Sequence, residues 1–398
     1  MKRNILFVSH SAELYGAERV LFLTIEGLNK EKFNSILVLP KSGPLGELAE
    51  KLGVETFYVP SKWWITEKSK VWKQPFSWLW NLRSLVQMSR LIDKKKIDLV
   101  FSNSAVNFTG ALAARLKNVP HIWSLHEILE GSCSPVIFLL GKRALVGIIS
   151  ALSARIIVNS DMTGLPFKKN NKVRKVNIGI RENYKDKAFS DALRLRFGFD
   201  PKDFVIGVVG KIYPEKGQKE VVEAVNIIRK THPQVRLLIV GEVRSAGYQR
   251  KIQKSILVNH LKKHVVVTGY HTDIYDILSM LDLLVVASTI ESFGRVALEA
   301  MAVKTPVLAV RKGGISEAIS AGEDGFLVES RDPKVLAQGI CSILERPEQA
   351  SKIVEKGYRK VQEKYSFENQ IGATERVLEE CFGSEFEDGA ATLRGLHG

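Results

Sequence analysis

Short β-branched runs alternate with stretches of helical periodicity along the whole chain. In the first half, the runs at 5–8, 35–39, 99–103, 121–125 and 155–159 predict strands. In the second half, those at 205–209, 236–240, 265–269, 283–287, 306–310 and 325–328 do the same. These runs are near-continuously apolar and offer no polar alternate face to water. Such strands with helices between them predict parallel sheets covered on both sides. Each half therefore reads as a doubly wound α/β domain. The expected architecture is two Rossmann-like domains facing across a cleft, with ligands at the carboxyl ends of both sheets. The stretch from Asp161 to Asp203 is rich in Lys, Asn, Asp and Gly and is expected to hold the boundary. The expected division is an N-terminal domain over 1–183 and a C-terminal domain over 184–383 whose last helix crosses back to the first. Residues 384–398 lose all periodicity and read as a disordered tail or a cloning remnant.

Composition narrows the class. With 398 residues, 45% of them hydrophobic and 25% charged, the chain has apolar material for two cores and is not disordered. Cys133, Cys341 and Cys381 follow neither a disulfide framework nor zinc-ligand spacing, and reduced thiols in a cytosol are expected. The N-terminal apolar stretch soon meets Ser9, His10 and Ser11 and reads as a first strand, not a secretory leader. Lys142, Arg143 and Arg155 interrupt the most hydrophobic region, 136–158, so no membrane span is expected.

The formal net charge of +15 is unevenly spread. Residues 1–200 hold 31 Lys plus Arg against 17 Asp plus Glu, whereas the rest hold 27 against 26. A basic first half points to an anionic partner. Trp63, Trp64, Trp72, Trp78 and Trp80, five of the six tryptophans, fall among Lys62, Lys68, Lys70, Lys73 and Arg83. Segment 62–96 thus has a membrane-interface composition and continues as a helix with Trp78, Leu82, Leu85 and Leu91 at near-helical spacing, ending in Lys94-Lys95-Lys96. Two expectations follow: contact with an anionic membrane surface from the cytoplasmic side, or a helix that simply covers the first sheet. No nucleic-acid module accompanies the basic residues, so no nucleic-acid partner is expected.

The strongest chemical signal is Glu291-Ser292-Phe293-Gly294-Arg295-Val296-Ala297-Leu298-Glu299, directly after the run at 283–287. Glu291 falls in the loop at the strand's end, and Gly294 lets a ligand approach the backbone. The amides that follow open a helix whose N-terminus can hold a phosphate. Glu299, about one and a half turns on, can accept from hydroxyls such as those of a ribose. After the run at 205–209 comes Gly210-Lys211-Ile212-Tyr213-Pro214-Glu215-Lys216-Gly217, a tight loop carrying two cations. Two ammonium groups beside a helix N-terminus suit a diphosphate, most of all as a leaving group gaining charge. The chain has no Asp-x-Asp pair, which fits charge neutralisation by Lys211 and Lys216 without a metal. It also lacks the phosphate-loop and dinucleotide-binding glycine patterns, which removes the main support for ATPase and dehydrogenase readings.

These motifs together resemble the retaining, metal-independent nucleotide-sugar transferases of glycosyltransferase family 4, whose fold is the two-domain GT-B. The resemblance extends to Gly16-Ala17-Glu18-Arg19, Trp123-Ser124-Leu125-His126-Glu127, Val176-Asn177-Ile178-Gly179-Ile180, Ile239-Val240-Gly241 and Val265-Val266-Val267-Thr268-Gly269-Tyr270. It implies that Lys211 and Lys216, in the loop opened by Gly210, grip the donor diphosphate and that Glu299 binds the ribose. It also implies that Glu291, with the amides of Ser292, Phe293 and Gly294, holds the donor sugar. Val296 and Ala297 would offer amides to the phosphates, and Gly241, Tyr270 and His271 would lie near the base. Gly16 would face the donor from the first domain, and His126, with Glu127 beside it, would meet the donor sugar or the acceptor hydroxyl. Lys211 stands where the family commonly carries Arg, and Tyr15 where it commonly carries a second glycine.

The implied activity is transfer of a glucose-like or N-acetylglucosamine-like hexose from a UDP-sugar to a saccharide or lipid-linked acceptor in polysaccharide or glycoconjugate synthesis. No cofactor and no metal are implied. A GDP-sugar mannosyltransferase, a nucleotide-sugar epimerase of the same fold and a non-catalytic nucleotide-sugar-binding protein are the alternatives the residues leave open.

Overall fold

In a computed structural model, residues 2–65, 72–129, 138–181 and 191–383 are described. Cys133, Lys68, Lys70, the boundary stretch 182–190 and the tail 384–398 lie outside them. The chain packs as two units, one of Met1–Gly179 with the returning segment from Phe367, the other of Ile180–Ser366.

The first unit contains a seven-stranded sheet. Its strands are β1 (Arg3–Ser9), β2 (Phe33–Leu39), β3 (Glu55–Tyr58), β4 (Leu99–Asn103), β5 (His121–Leu125), β6 (Arg155–Val158) and β7 (Val173–Lys175), in the order β3-β2-β1-β4-β5-β6-β7. Every neighbouring pair is parallel, with Ile5 opposite Leu99 and Val100 opposite His121. One face is covered by the Gly16–Gly27 helix and by the returning Phe367–Glu379 helix. Val377, Leu378 and Cys381 there join Leu21, Ile25 and Phe101 in a single core. The other face buries Val8, Val38, Val100, Met88 and Ile92, the last two from the Gln74–Lys94 helix.

The second unit contains a six-stranded parallel sheet of β8 (Phe204–Val209), β9 (Val235–Val240), β10 (Val265–Thr268), β11 (Leu283–Val286), β12 (Val307–Val310) and β13 (Phe326–Val328), in the order β10-β9-β8-β11-β12-β13. Strands buried on both faces account for the unbroken apolar runs, and all eleven read from the sequence are present. Two others, β3 and β7, were not read from it. Both are short edge strands mixing exposed and half-buried positions, Glu55 and Lys175 among the exposed, so neither carries an apolar run.

In each sheet the strand order reverses between two central neighbours, β1 and β4 in the first, β8 and β11 in the second. Loops leaving the carboxyl ends on either side of such a point splay apart and leave a crevice. Gly210, Lys211, Lys216 and Glu291 lie on such loops in the second unit, while Gly241, Tyr270 and His271 follow the adjoining strands β9 and β10, and His126 follows β5 in the first unit. No helix among the described residues is long and apolar enough to cross a membrane.

Candidate active site

In the second unit, β8 delivers Gly210 and Lys211 while its neighbour β9 delivers Gly241. The two backbones pass so closely that a Cβ on Gly241 would lie 1.9 Å from the carbonyl oxygen of Gly210. Gly241 also holds φ at +153°, so only glycine fits at this crossing. The amide of Gly210 donates to Val240 and that of Gly241 to Gly269, which ties the ends of three adjacent strands into one floor. Lys211 is exposed above this floor, its carbonyl accepting from Gln218 Nε2 at 2.9 Å.

Across the reversal point, the loop after β11 is stitched to the loop after β8. The amide of Thr289 donates to the carbonyl of Glu215 at 2.8 Å, and the Lys216 ammonium donates to Glu291 Oε1 at 2.5 Å. Ser288 Oγ donates to the same carboxylate oxygen at 2.6 Å. Lys216 and Glu291 are thus a half-buried ion pair joining the two loops. The Lys216 ammonium has three hydrogens, so it can keep Glu291 and still donate to an anion.

Gly294, at φ +88°, caps the Arg295–Ala302 helix, and a Cβ there would strike Ile315. The helix N-terminus opens beside Glu291, where the amides ahead of the first internal bond have no helical partner, although that of Ala297, expected to serve the phosphates, is not among them. The Ala297 amide donates to the Gly294 carbonyl at 2.9 Å. Val296 is half-exposed in this first turn. Phe293 is almost fully buried, its ring set edge-on against Tyr365 at 5.5 Å, so only its backbone can serve a ligand. Ser292 is half-exposed. Glu299 is buried and accepts from Arg295 Nε at 2.9 Å, while Arg295 Nη1 is buried with no hydrogen-bond partner. On the far side of Gly241, Tyr270 is exposed and His271 shares a hydrogen with Thr268 Oγ1 at 2.7 Å.

The first unit gathers a polar cluster at its own reversal point. His126, just past β5, contacts Asn103 Oδ1 through Nε2 at 2.8 Å and Ser124 Oγ at 3.3 Å. The Asn103 amide nitrogen donates to the Ala17 carbonyl at 3.1 Å, which turns its oxygen toward the histidine. The oxygen can only accept, so this contact requires a hydrogen on Nε2 of His126. Glu127 accepts from the amides of Ala105 and His126 and from the Ser104 hydroxyl, which makes it a loop brace. Gly16 is the first residue of the Gly16–Gly27 helix, with open space where a side chain would stand. Directly after β1, His10 pairs with buried Glu18 at 3.2 Å and receives the Trp63 indole hydrogen on its carbonyl.

Two family models match this chain, the one described as "Glycosyl transferases group 1" over residues 189–360 and the one described as "Glycosyltransferase Family 4" over residues 15–178. The chain belongs to the group 1 glycosyltransferases. The capsular polysaccharide biosynthesis glycosyltransferase CapM of Staphylococcus aureus is 25% identical over 303 residues, 72% of this chain and 77% of that protein. The putative glycosyltransferase EpsD of Bacillus subtilis is 30% identical over 166 residues, 42% of each. Among solved structures, Anabaena HepE in complex with UDP and glucose superposes with a TM-score of 0.79 at 21% identity, covering 95% of this chain and all of that one. A Rickettsia africae glycosyltransferase gives 0.81 at 20% identity, over 96% and 99%. The fold is GT-B.

Within this glycosyltransferase the structure brings Lys216, Glu291, Ser292, Gly294 and Val296 together, with Gly210, Lys211 and Gly241 on adjoining strand ends. Ser288, Arg295, His10, Glu18 and Asn103 were not singled out in the sequence as site residues. Asn103 and His10 end or follow strand runs on either side of the reversal point, which is the signal that could have found them. Ser288 and Arg295 stand next to candidate residues, but nothing in residue type alone marks them as braces. Among the described residues, His232, Cys341 and Glu345 are ligating side chains within reach of one another; His232 comes just before the start of β9 and the other two at the end of the Pro333–Leu344 helix, whereas Lys216 follows the end of β8.

Proposed function

We propose that this enzyme transfers a glucose-like or N-acetylglucosamine-like hexose from a UDP-sugar to a saccharide or lipid-linked acceptor, with retention of configuration and without a metal. The observation that carries the reading is the Lys216–Glu291–Ser288 cluster beside the Gly294-capped helix. Cations, helix amides and a carboxylate that accepts hydroxyls stand in the sequence a nucleoside diphosphate sugar presents: phosphates, then sugar. That HepE was solved with UDP and glucose supports the uracil donor. That CapM is named for capsular polysaccharide biosynthesis supports a saccharide acceptor.

In this reading Lys211 and Lys216 bind the diphosphate and stabilise it most as the bond from the anomeric carbon to its oxygen breaks and charge grows. Glu291, held by Ser288 and Lys216, accepts from the sugar's hydroxyls and fixes its orientation. Glu299, aligned by Arg295, accepts from the ribose. The acceptor oxygen bonds the anomeric carbon on the face the diphosphate leaves, and its proton passes to the departing phosphate oxygen, so no covalent enzyme intermediate forms. His126, with its Nε2 hydrogen held by Asn103, orients hydroxyls from the first unit.

Titration with UDP and GDP by calorimetry in EDTA tests the reading. Micromolar binding of UDP that survives EDTA is expected, as is at least a hundredfold weakening in a Lys211→Ala, Lys216→Ala double variant, since each charge-assisted contact contributes about 1.5–3 kcal/mol. Preference for GDP, or binding that requires a divalent ion, would overturn the corresponding part of the reading.

A further inference from the structure

The Gln74–Lys94 helix sits on its unit with the polarity of its first half reversed. Up to Ser84 its inward side carries polar residues, with Gln74, Asn81 and Ser84 essentially buried, before Met88, Leu91 and Ile92 take that side over. Asn81 is clamped to the Lys62 backbone by two hydrogen bonds of 2.8 Å, one to the amide and one from the side-chain nitrogen to the carbonyl. Ser84 donates to the Pro60 carbonyl, and Gln74 accepts from the Leu139 amide at 2.8 Å. These bonds fix the helix's rotation. Of the row read from the sequence, Leu91 is buried and Trp78 and Leu85 are half-buried, but Leu82 is 54% exposed. The apolar spacing therefore placed the inward side correctly at Trp78, Leu85 and Leu91 and failed at Leu82.

The outward side carries Phe76 and Leu79, each 69% exposed, Trp80 at 55% and Val86 at 49%, with Trp72 at 63% just before the helix. A soluble surface helix places such residues toward its core. Leu139 and Leu140 are also exposed, on the turn whose amide Gln74 holds, and extend the apolar patch to a second element. The charge around it, over the described residues 72–92 and 138–160, has one sign. Lys62, Lys73, Arg83, Arg90, Lys142 and Arg143 lie in or beside it, and no Asp or Glu occurs over 72–92 or 138–160. The Lys62 ammonium lies 4.2 Å over the Trp80 ring and the Lys73 ammonium 5.0 Å over the Trp72 ring. An indole with a cation on its face satisfies the level of a bilayer where acyl chains meet phosphates.

We propose that this face, the outward side of the Gln74–Lys94 helix continued by the Leu139–Leu140 turn, docks the enzyme on an anionic lipid bilayer. Phe76, Leu79 and Trp80 enter the acyl boundary, and Lys73 and Arg83 meet the headgroup phosphates. The transferase reading explains why a bilayer is useful, as the place of a lipid-linked acceptor, but docking is measured without any donor.

The test is cosedimentation of the full chain with phosphatidylcholine vesicles and with vesicles containing about one-third phosphatidylglycerol. Binding to the anionic vesicles alone, weakening as salt rises, is the expected result. A Lys73→Gln, Arg83→Gln variant is expected to partition about thirtyfold more weakly, at about 1 kcal/mol for each cation near a charged surface. A Phe76→Ser, Leu79→Ser, Trp80→Ser variant is expected to lose binding. All five side chains are exposed or extend from the surface, so unchanged thermal unfolding is the check on folding. No sedimentation of the wild type, equal binding to neutral vesicles, or full binding by the triple-serine variant would overturn the proposal. So would a concentration-dependent dimer, abolished by the triple-serine variant, in a protein that ignores vesicles, because a second copy would then be the occupant. UDP titration of the same preparations reports the donor reading separately.

Discussion

Several side chains in this protein act through the one hydrogen bond that fixes them. Asn103 holds a hydrogen on Nε2 of His126, and Arg295 sets how Glu299 faces its surroundings. His121 shows the same economy without any role at the site. It is fully enclosed on β5, with Nε2 against Ser102 Oγ at 2.9 Å and its ring edge-on to Trp123. Burial pushes its imidazole down to about 3, so the folded protein keeps it neutral where the unfolded chain protonates it near pH 6.5. The unfolded state then binds the extra proton, and the stability His121 supports is present above about pH 6.5 and lost as pH falls toward 3. Measured by urea midpoints across pH, His121→Gln is expected to reduce the acid slope of stability by about 1.4 kcal/mol per pH unit between roughly pH 6 and 4. Equal slopes in variant and wild type would show that His121 does not carry that proton.

At the scale of elements, the site depends on where strands end and how closely their loops approach. Gly241 is the tightest such place, and Gly241→Ala is expected to cost about 2 kcal/mol or more in urea unfolding and to abolish nucleotide binding, because the floor under the diphosphate must open. Gly269→Ala, with open space around the added methyl, is expected to stay within about 0.5 kcal/mol of wild type. Equal costs at the two glycines would contradict the steric account. The central strands and the Glu291 to Glu299 loop were legible in the sequence because both depend on local pattern, an apolar run in one case and residue spacing after a strand in the other. The edge strands Glu55–Tyr58 and Val173–Lys175 were not, because pairing with one neighbour makes them strands while none of their residues is fully buried. The Gln74–Lys94 helix was legible as a helix, and Trp78, Leu85 and Leu91 do face the core, but the polar inward positions and the exposed apolar side of its first half were not legible. Apolar spacing assumes that the greasy side faces the protein throughout, whereas in the first half of this helix hydrogen bonds of Gln74, Asn81 and Ser84 hold polar side chains inward.

For the whole molecule, the return of the chain after Ser366 matters most. The Phe367–Glu379 helix belongs to the first unit: Gln370 accepts from the Gly179 amide at 2.7 Å and donates to Thr24 Oγ1 at 3.1 Å, and Glu380 receives Arg155 and Arg174. Val377, Leu378 and Cys381 complete that unit's core. The second unit owns the proposed diphosphate residues but none of this helix. Two units with separate cores need not unfold together, and a ligand stabilises only the unit that binds it. Calorimetric unfolding of the full chain is therefore expected to show two transitions. UDP at about a hundred times its dissociation constant should raise one of them, by about 2.7 kcal/mol, and leave the other in place. Truncation after Ser366 is expected to remove the UDP-insensitive transition, since the first unit would expose the apolar face its last helix covers, while the UDP-sensitive one persists. If UDP instead shifted a single cooperative transition, or truncation abolished both, the two cores would be energetically one. The donor residues would then depend for their geometry on the unit that carries His126.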